Sequence, residues 1–403
     1  MNVKVIRYNK SIVFRYASTG ALVLPAPIGY MQNGGTMNEK IKEYLETKYE
    51  TPLRVLSVKE LGLESQEQKE DLGEIKGFGY GKPYFVKFQT GGAGEIKEVV
   101  ISSMRGDGFG HDHFADRAQI LIWQHHAFNT LPKHVKSIDV GYFTRDGRME
   151  SASDAEEYFI TCDKVEGAEY VKDLDRLRGG GEVRGEDEER ASALAAYLAD
   201  IHAVKRDDAQ LYVRRIRELV GHSECIFGLT DSYPPRNEFI TSEELRDIEK
   251  LSIDWRWKLK ERTKRLCMVH GDFHPWNVMF RKGTDFTVLD RSRGEYGEAA
   301  DDVSAMTINY LFFGLLKTEG NEIDRGFKKL YDLFFDTYLE KTGDYELLEV
   351  IQPFYAFRGL VVASPVWYPT ISVDTRRKLF NFIKNVLEAE EFDYKGVNKY
   401  LEG

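Results

Sequence analysis

The chain has little cysteine. Cys162, Cys225 and Cys267 are widely spaced, odd in number and form no CxxC pair, which argues against a disulfide framework and a cysteine-built zinc site and points to a reducing, cytoplasmic setting. Long apolar runs are also missing. The best, from Ala305 to Leu316, is interrupted by Asn309 and falls short of the roughly 20 residues a membrane helix needs. ALVLPAP at 21–27 has too brief an apolar centre, broken by prolines, for a signal peptide. Excess positive charge is absent too: 56 basic against 66 acidic side chains leave a formal charge of −10. No global basic field is present to hold a nucleic acid or an anionic membrane, and a cationic or neutral small molecule is the easier partner. There is no repeat of solenoid or propeller type.

What is present suits a large globular protein. The 403 residues are 42% hydrophobic and 13% aromatic, enough material for two domains or one large domain split into lobes. Residues 1–36 carry the β-prone pieces VKVIRY and SIVFRY and a proline-rich stretch, and read as an N-terminal extension. A helix opens at NEKIKEYLETKYE, where Ile41, Tyr44 and Leu45 recur at helical spacing. LRVLSV, KPYFVKFQ and IKEVVISSM read as strands of a small antiparallel sheet, with TGGAGE as one reversal. A helix is expected from Asp116 to Phe128, then strands at VKSIDVGYF and EEYFITCDKV with a turn at TRDG. Beyond Gly167 the pattern turns helical: in GEDEERASALAAYLADIHAVK, Ala191, Leu194, Ala195, Leu198, Ile201 and His202 form one stripe, with acids in the first turn. EDEER is expected to face water, and NYLFFGLL and PVWYP to be core.

The densest chemistry lies in CMVHGDFHPWNVMFRKGTDFTVLDRSRGE, residues 267–295. VMF and FTVLD joined by RKGTD form a β-hairpin, so Asn277 and Asp290 should meet at its base. The cluster of His270, Asp272, His274, Asn277 and Asp290 admits a metal site, a phosphoryl-transfer site or a hairpin with polar ends. Asp272 precedes Asn277 by the spacing of the kinase catalytic loop HRDxxxxN, in which aspartate takes the acceptor's hydroxyl proton and asparagine holds magnesium. Hard oxygen donors suit Mg²⁺. A rival metal-hydrolase reading joins His270 and His274 to His111 and His113, since HxH and HxDxH spacings present zinc ligands. GFGYGKP at 77–83 and GDGFGH at 106–111 are weak phosphate-loop candidates and read first as turns.

HGDFHPWNVMF resembles the HGDxHxxN pattern of the aminoglycoside phosphotransferase and choline kinase group at His270, Gly271, Asp272, His274 and Asn277. VLDRSRGEYGEAADDVS is similar to that group's second signature through Asp290, Gly297 and Asp302, and YFITCDKVEG to its hinge segment. The resemblance implies an α+β, bilobal protein-kinase-like fold, with a small antiparallel β-sheet N-lobe bearing one helix at 37–164 and a larger, mainly helical C-lobe at 165–403. It implies ATP and Mg²⁺ as cofactors and a small-molecule hydroxyl as acceptor. By the same resemblance Asp272 is the catalytic base, Asn277 and Asp290 hold the metal, and His270, His274 and Asp302 support the loop. The family's phosphate-gripping lysine has no counterpart on the third strand. Arg105 and Lys87 are its possible replacements, with Cys162 and Lys164 lying along the nucleotide hinge. The helix glutamate that would pair with such a lysine is missing as well, since DRAQILIW offers Arg117 and Gln119. That absence motivates a second reading, a catalytically silent kinase-like binding protein.

Overall fold

A computed structural model of the protein describes residues 36–61, 81–92 and 94–403. The expected strands of 1–35 and most of the 77–83 loop lie outside the described residues. The chain divides into two compact units, up to Thr161 and from Cys162.

The first unit begins with α1 (Met37–Tyr49), started by a capping box in which Thr36 and Glu39 satisfy each other's backbone N–H. Strands β1 (Leu53–Glu60), β2 (Gly81–Thr90) and β3 (Ile96–Met104) form an antiparallel sheet in the order β1-β2-β3. Alternation along β2 sends Val86 and Phe88 inward, where they pack with Ile41, Leu45 and Leu53 as this unit's small core. Helix α2 (Phe114–Thr130) buries none of its residues, and Trp123 is 70% exposed. A short hairpin follows, β4 (Gly141–Phe143) paired with β5 (Met149–Ser151), so TRDG is the turn. Its second strand is therefore the MES segment. EEYFITCDKV, expected as that strand, has no ladder partner among the described residues, and Phe159 and Ile160 stand 92% and 87% exposed. The β-prone run Tyr158–Phe159–Ile160–Thr161 suggests a strand there, but among the described residues no sheet edge receives it.

The second unit is mainly helical. It contains β6 (Ala168–Glu169), α3 (Val171–Arg178), α4 (Gly185–His202), α5 (Ala209–Gly221), α6 (Ile226–Ser232) and α7 (Ser242–Leu259). After the short strand β7 (Cys267–Met268) come the hairpin strands β8 (Val278–Phe280) and β9 (Phe286–Val288), and then β10 (Tyr296–Gly297). The chain closes with α8 (Ala299–Lys317), α9 (Arg325–Thr342), α10 (Gln352–Ala363) and α11 (Val373–Glu388). The stripe of α4 is buried at Ala191, Leu194, Ala195, Leu198 and His202. Helix α8 is apolar on all sides and buried almost throughout, as a central core helix must be. Each fully buried Leu or Phe here stabilises the unit by about 2 kcal/mol.

Two expectations about this unit change. PVWYP is not core: Val366 and Trp367 are 61% and 54% exposed, because the chain leaves α10 in a turn. Within EDEER, Asp187 turns inward and is buried, since Arg176 grips both its oxygens at 2.6 Å and the Arg184 backbone N–H donates to it. Among the described residues no helix is long and apolar enough to cross a membrane.

Candidate active site

The HGDFHPWN loop runs from β7 to β8, ending in a 3-10 turn at Pro275–Asn277. Gly271 is needed in it: its φ is +86°, and a Cβ there would lie 3.2 Å from Cβ of Arg293. The loop is fastened to the first turn of α8. Fully buried Asp302 accepts from the backbone N–H groups of His270 and Gly271, each at 2.7 Å. Nε2 of His202 donates to it at 3.1 Å, and the Tyr338 hydroxyl lies 2.8 Å from Nδ1 of that ring. Burial opposes ionisation of Asp302, but His202 and these N–H donors outweigh it and hold the carboxyl below its ordinary range. A charged acceptor in the first helical turn also meets the positive end of the helix dipole.

Asp272 sits half-buried inside this frame. Arg358, from α10, reaches its Oδ1 at 2.6 Å, and Nε2 of His274 lies 3.4 Å from Oδ2. Burial raises the Asp272 pKa, yet the His274 hydrogen bond and the Arg358 and Arg293 cations prevail and keep the carboxylate ionised well below the usual range. His270 is buried, and desolvation lowers its pKa against the pull of Asp302. Its neutral ring accepts the Asp272 backbone N–H at Nδ1, 3.3 Å away, so it braces the loop.

The hairpin brings the backbones of the two expected metal residues to its base. Val278 pairs with Val288, and the next rung is the Leu289 N–H donating to the Asn277 carbonyl at 2.8 Å. The Asn277 side-chain amide donates to the Asp272 carbonyl at 3.0 Å. Asp290 is exposed and left-handed, with φ +52°, a conformation costing about 1 kcal/mol that persists where surroundings enforce it. Among the described residues its carboxylate has neither a hydrogen bond nor an ion pair. A carboxylate and a side-chain amide oxygen are donor types that suit a hard divalent cation.

The remaining predicted site residues belong to other segments of the chain. Lys87 crosses to Glu98 on the neighbouring strand at 2.8 Å, and Arg105 is exposed at the end of β3; both belong to the first unit. Cys162 and Lys164 begin the second unit on its exposed leading segment, with Lys164 paired to Glu166. The zinc reading loses its ligands. His111 pairs with Asp107 at 3.0 Å, His113 caps α2, and among the described residues no group of three His, Cys, Asp or Glu side chains is placed to hold a metal.

The sequence reading missed three partners: His202, Asp301 and above all Arg358. Two signals for them were available. A histidine interrupts the apolar stripe of α4, and a lone arginine interrupts the apolar run PFYAFRGLVVA; a polar group at a core position must find a partner.

Residues 152–333 match the phosphotransferase enzyme family. The stretch contains the whole loop, hairpin and α8 anchor, and the resemblance read from HGDFHPWN is borne out over it. The chain is also similar to a solved glucosamine kinase in complex with glucosamine, ADP and inorganic phosphate, at 17% identity and TM-score 0.31. That match covers 58% of this chain and 56% of the kinase, little more than half its length. A choline kinase from Cryptosporidium parvum matches at 10% identity over 86% of this chain and 87% of its own, with TM-score 0.29. A spectinomycin phosphotransferase in complex with ADP and spectinomycin matches at 12% identity over 90% and 97%, with TM-score 0.31. No curated protein matches the chain.

Proposed function

We propose that the protein is an ATP- and Mg²⁺-dependent phosphotransferase that moves the γ-phosphoryl group to a hydroxyl of a small molecule: an aminoglycoside, an amino alcohol or a sugar. The observation that carries this reading is an ionised Asp272, fixed in a loop anchored by Asp302, with Asn277 and Asp290, the latter without a partner among the described residues, at the base of one hairpin. Asn277 and Asp290 would hold the ion, which supplies neutralisation of phosphate charge when bound. Asp272 orients the acceptor hydroxyl and takes its proton; a loose phosphoryl-transfer transition state asks for position more than for a strong base. A cavity of about 540 Å³ lined by Trp276 of the loop, Phe312, Phe313, Tyr368, Glu319 and Asp374 supports an acceptor with apolar faces and cationic groups.

Thermal-shift titration with Mg-ATP, Mg-GTP and Mg²⁺ alone tests the donor, because a ligand that binds only the folded state raises Tm. An acceptor screen with the stabilising nucleotide follows. No stabilisation by any nucleotide defeats the reading. The silent binding protein is favoured by one contact, the engagement of Lys87 by Glu98, and predicts nucleotide or acceptor binding without turnover.

A further inference from the structure

We propose that Arg358 is a positioning residue for Asp272, fixing which carboxylate oxygen meets the acceptor. The inference deepens the phosphotransfer reading and rests on it for the identity of the base. Arg358 lies within α10, whose residues from Gln352 to Leu360 are all buried, and is itself only 5% exposed. A guanidinium so placed must have its charge and its N–H groups answered nearby. Nη1 donates to Asp272 Oδ1 at 2.6 Å, Nη2 to Asp301 Oδ1 at 2.6 Å and to the Gly271 carbonyl at 2.9 Å, and Nε to Asp301 Oδ1 at 3.2 Å. Its plane also lies against Phe357, 4.4 Å from the ring centroid.

Asp301 alone would neutralise this cation. The fork instead reaches past it to two groups of the loop, the Gly271 carbonyl and the Asp272 carboxylate. Consecutive residues of the first turn of α8 thus hold the loop in two ways: Asp302 through the N–H groups of His270 and Gly271, and Asp301 through Arg358. The consequence for chemistry is an asymmetric carboxylate. Oδ1 is capped by the guanidinium, while Oδ2 faces His274 and is left as the oxygen for an incoming hydroxyl. Lysine would carry the charge but not the planar fork, and so would hold Asp272 less firmly.

The test compares the wild-type chain with Arg358→Met and Arg358→Lys in two measurements. Carbodiimide coupling of glycine ethyl ester to carboxylates, mapped by mass spectrometry, reports whether Asp272 is capped. ADP release from Mg-ATP with water as acceptor reports turnover. In Arg358→Met, coupling at Asp272 should rise severalfold while Asp302 stays protected, and kcat should fall about 100-fold with KM for Mg-ATP unchanged. Arg358→Lys should recover part of both. Unchanged coupling at Asp272 in both variants overturns the proposal. So does coupling that rises at Asp272 and Asp302 together, which would mean a melted loop and a purely structural arginine, or a kcat equal to that of an active wild type. A wild type that releases no ADP counts against the phosphotransfer reading instead, and coupling at Asp272 then decides whether Arg358 holds that carboxylate.

Discussion

The two units of this chain are built to different standards of packing. Among its described residues the first has a core of five buried hydrophobic residues, and its helix α2 has no buried residue. The second surrounds α8 with fully buried aromatic and aliphatic side chains and ties its charged groups into networks, such as Arg265 with Glu298 and Asp344. The candidate base, its loop anchors and the two metal candidates all belong to the tightly packed unit. Residues proposed to grip a nucleotide, Lys87 and Arg105, stand on the thinly packed one. Chemistry that depends on tenths of an ångström needs a rigid surround, whereas elements that move are drawn from regions with few buried contacts.

The largest effect expected is on turnover. Asp272→Asn should reduce phosphoryl transfer by about 1000-fold, the contribution of a positioned base, in a chain that still unfolds cooperatively; activity close to wild type would remove the second unit's claim to the chemistry. Next is Asp302→Ala, which strands His202 and two buried N–H groups and should cost about 3–5 kcal/mol of stability in urea unfolding. A loss below 1 kcal/mol would show that the loop does not depend on α8. Leu198, fully buried in α4, should cost about 3 kcal/mol when cut to alanine. Trp123 of α2, by contrast, should cost no more than about 0.5 kcal/mol. Similar costs at these two positions would erase the contrast between the units.

Acid sharpens the same contrast. The carboxyls of Asp272 and Asp302 titrate below their ordinary value of 3.8 in the folded chain. Their stabilisation is therefore complete above that value and is lost as pH falls beneath it toward the folded-state pKa. Acid unfolding followed by tryptophan fluorescence should steepen below that value, and Asp272→Asn should flatten part of the slope. An identical acid profile in that variant would show that Asp272 is not held ionised by its neighbours.

Much of the site could be read directly because its parts are close in sequence. His270, Asp272, Asn277 and Asp290 fall within one loop and hairpin, and the reversal at RKGTD dictates that their backbones meet. Asp302 follows on the next helix. Arg358 is separated from Asp272 by 86 positions, and no local periodicity announces a partner so distant. Elements failed for a related reason. EEYFITCDKV has the β-prone residues of a strand, yet a strand exists only where another edge accepts its hydrogen bonds, and PVWYP is apolar but lies in a turn.

The sequence by itself determined the identity and spacing of the reactive side chains, the helical stripes, the acidic net charge and the shortness of the apolar runs, because all of these are composition or short-range properties of the chain. Tertiary structure alone decided that Asp272 is gripped by Arg358 and that Asp302 is buried against His202. Those outcomes depend on which distant groups share a desolvated space, and there a charge is kept only when the fold delivers its partner.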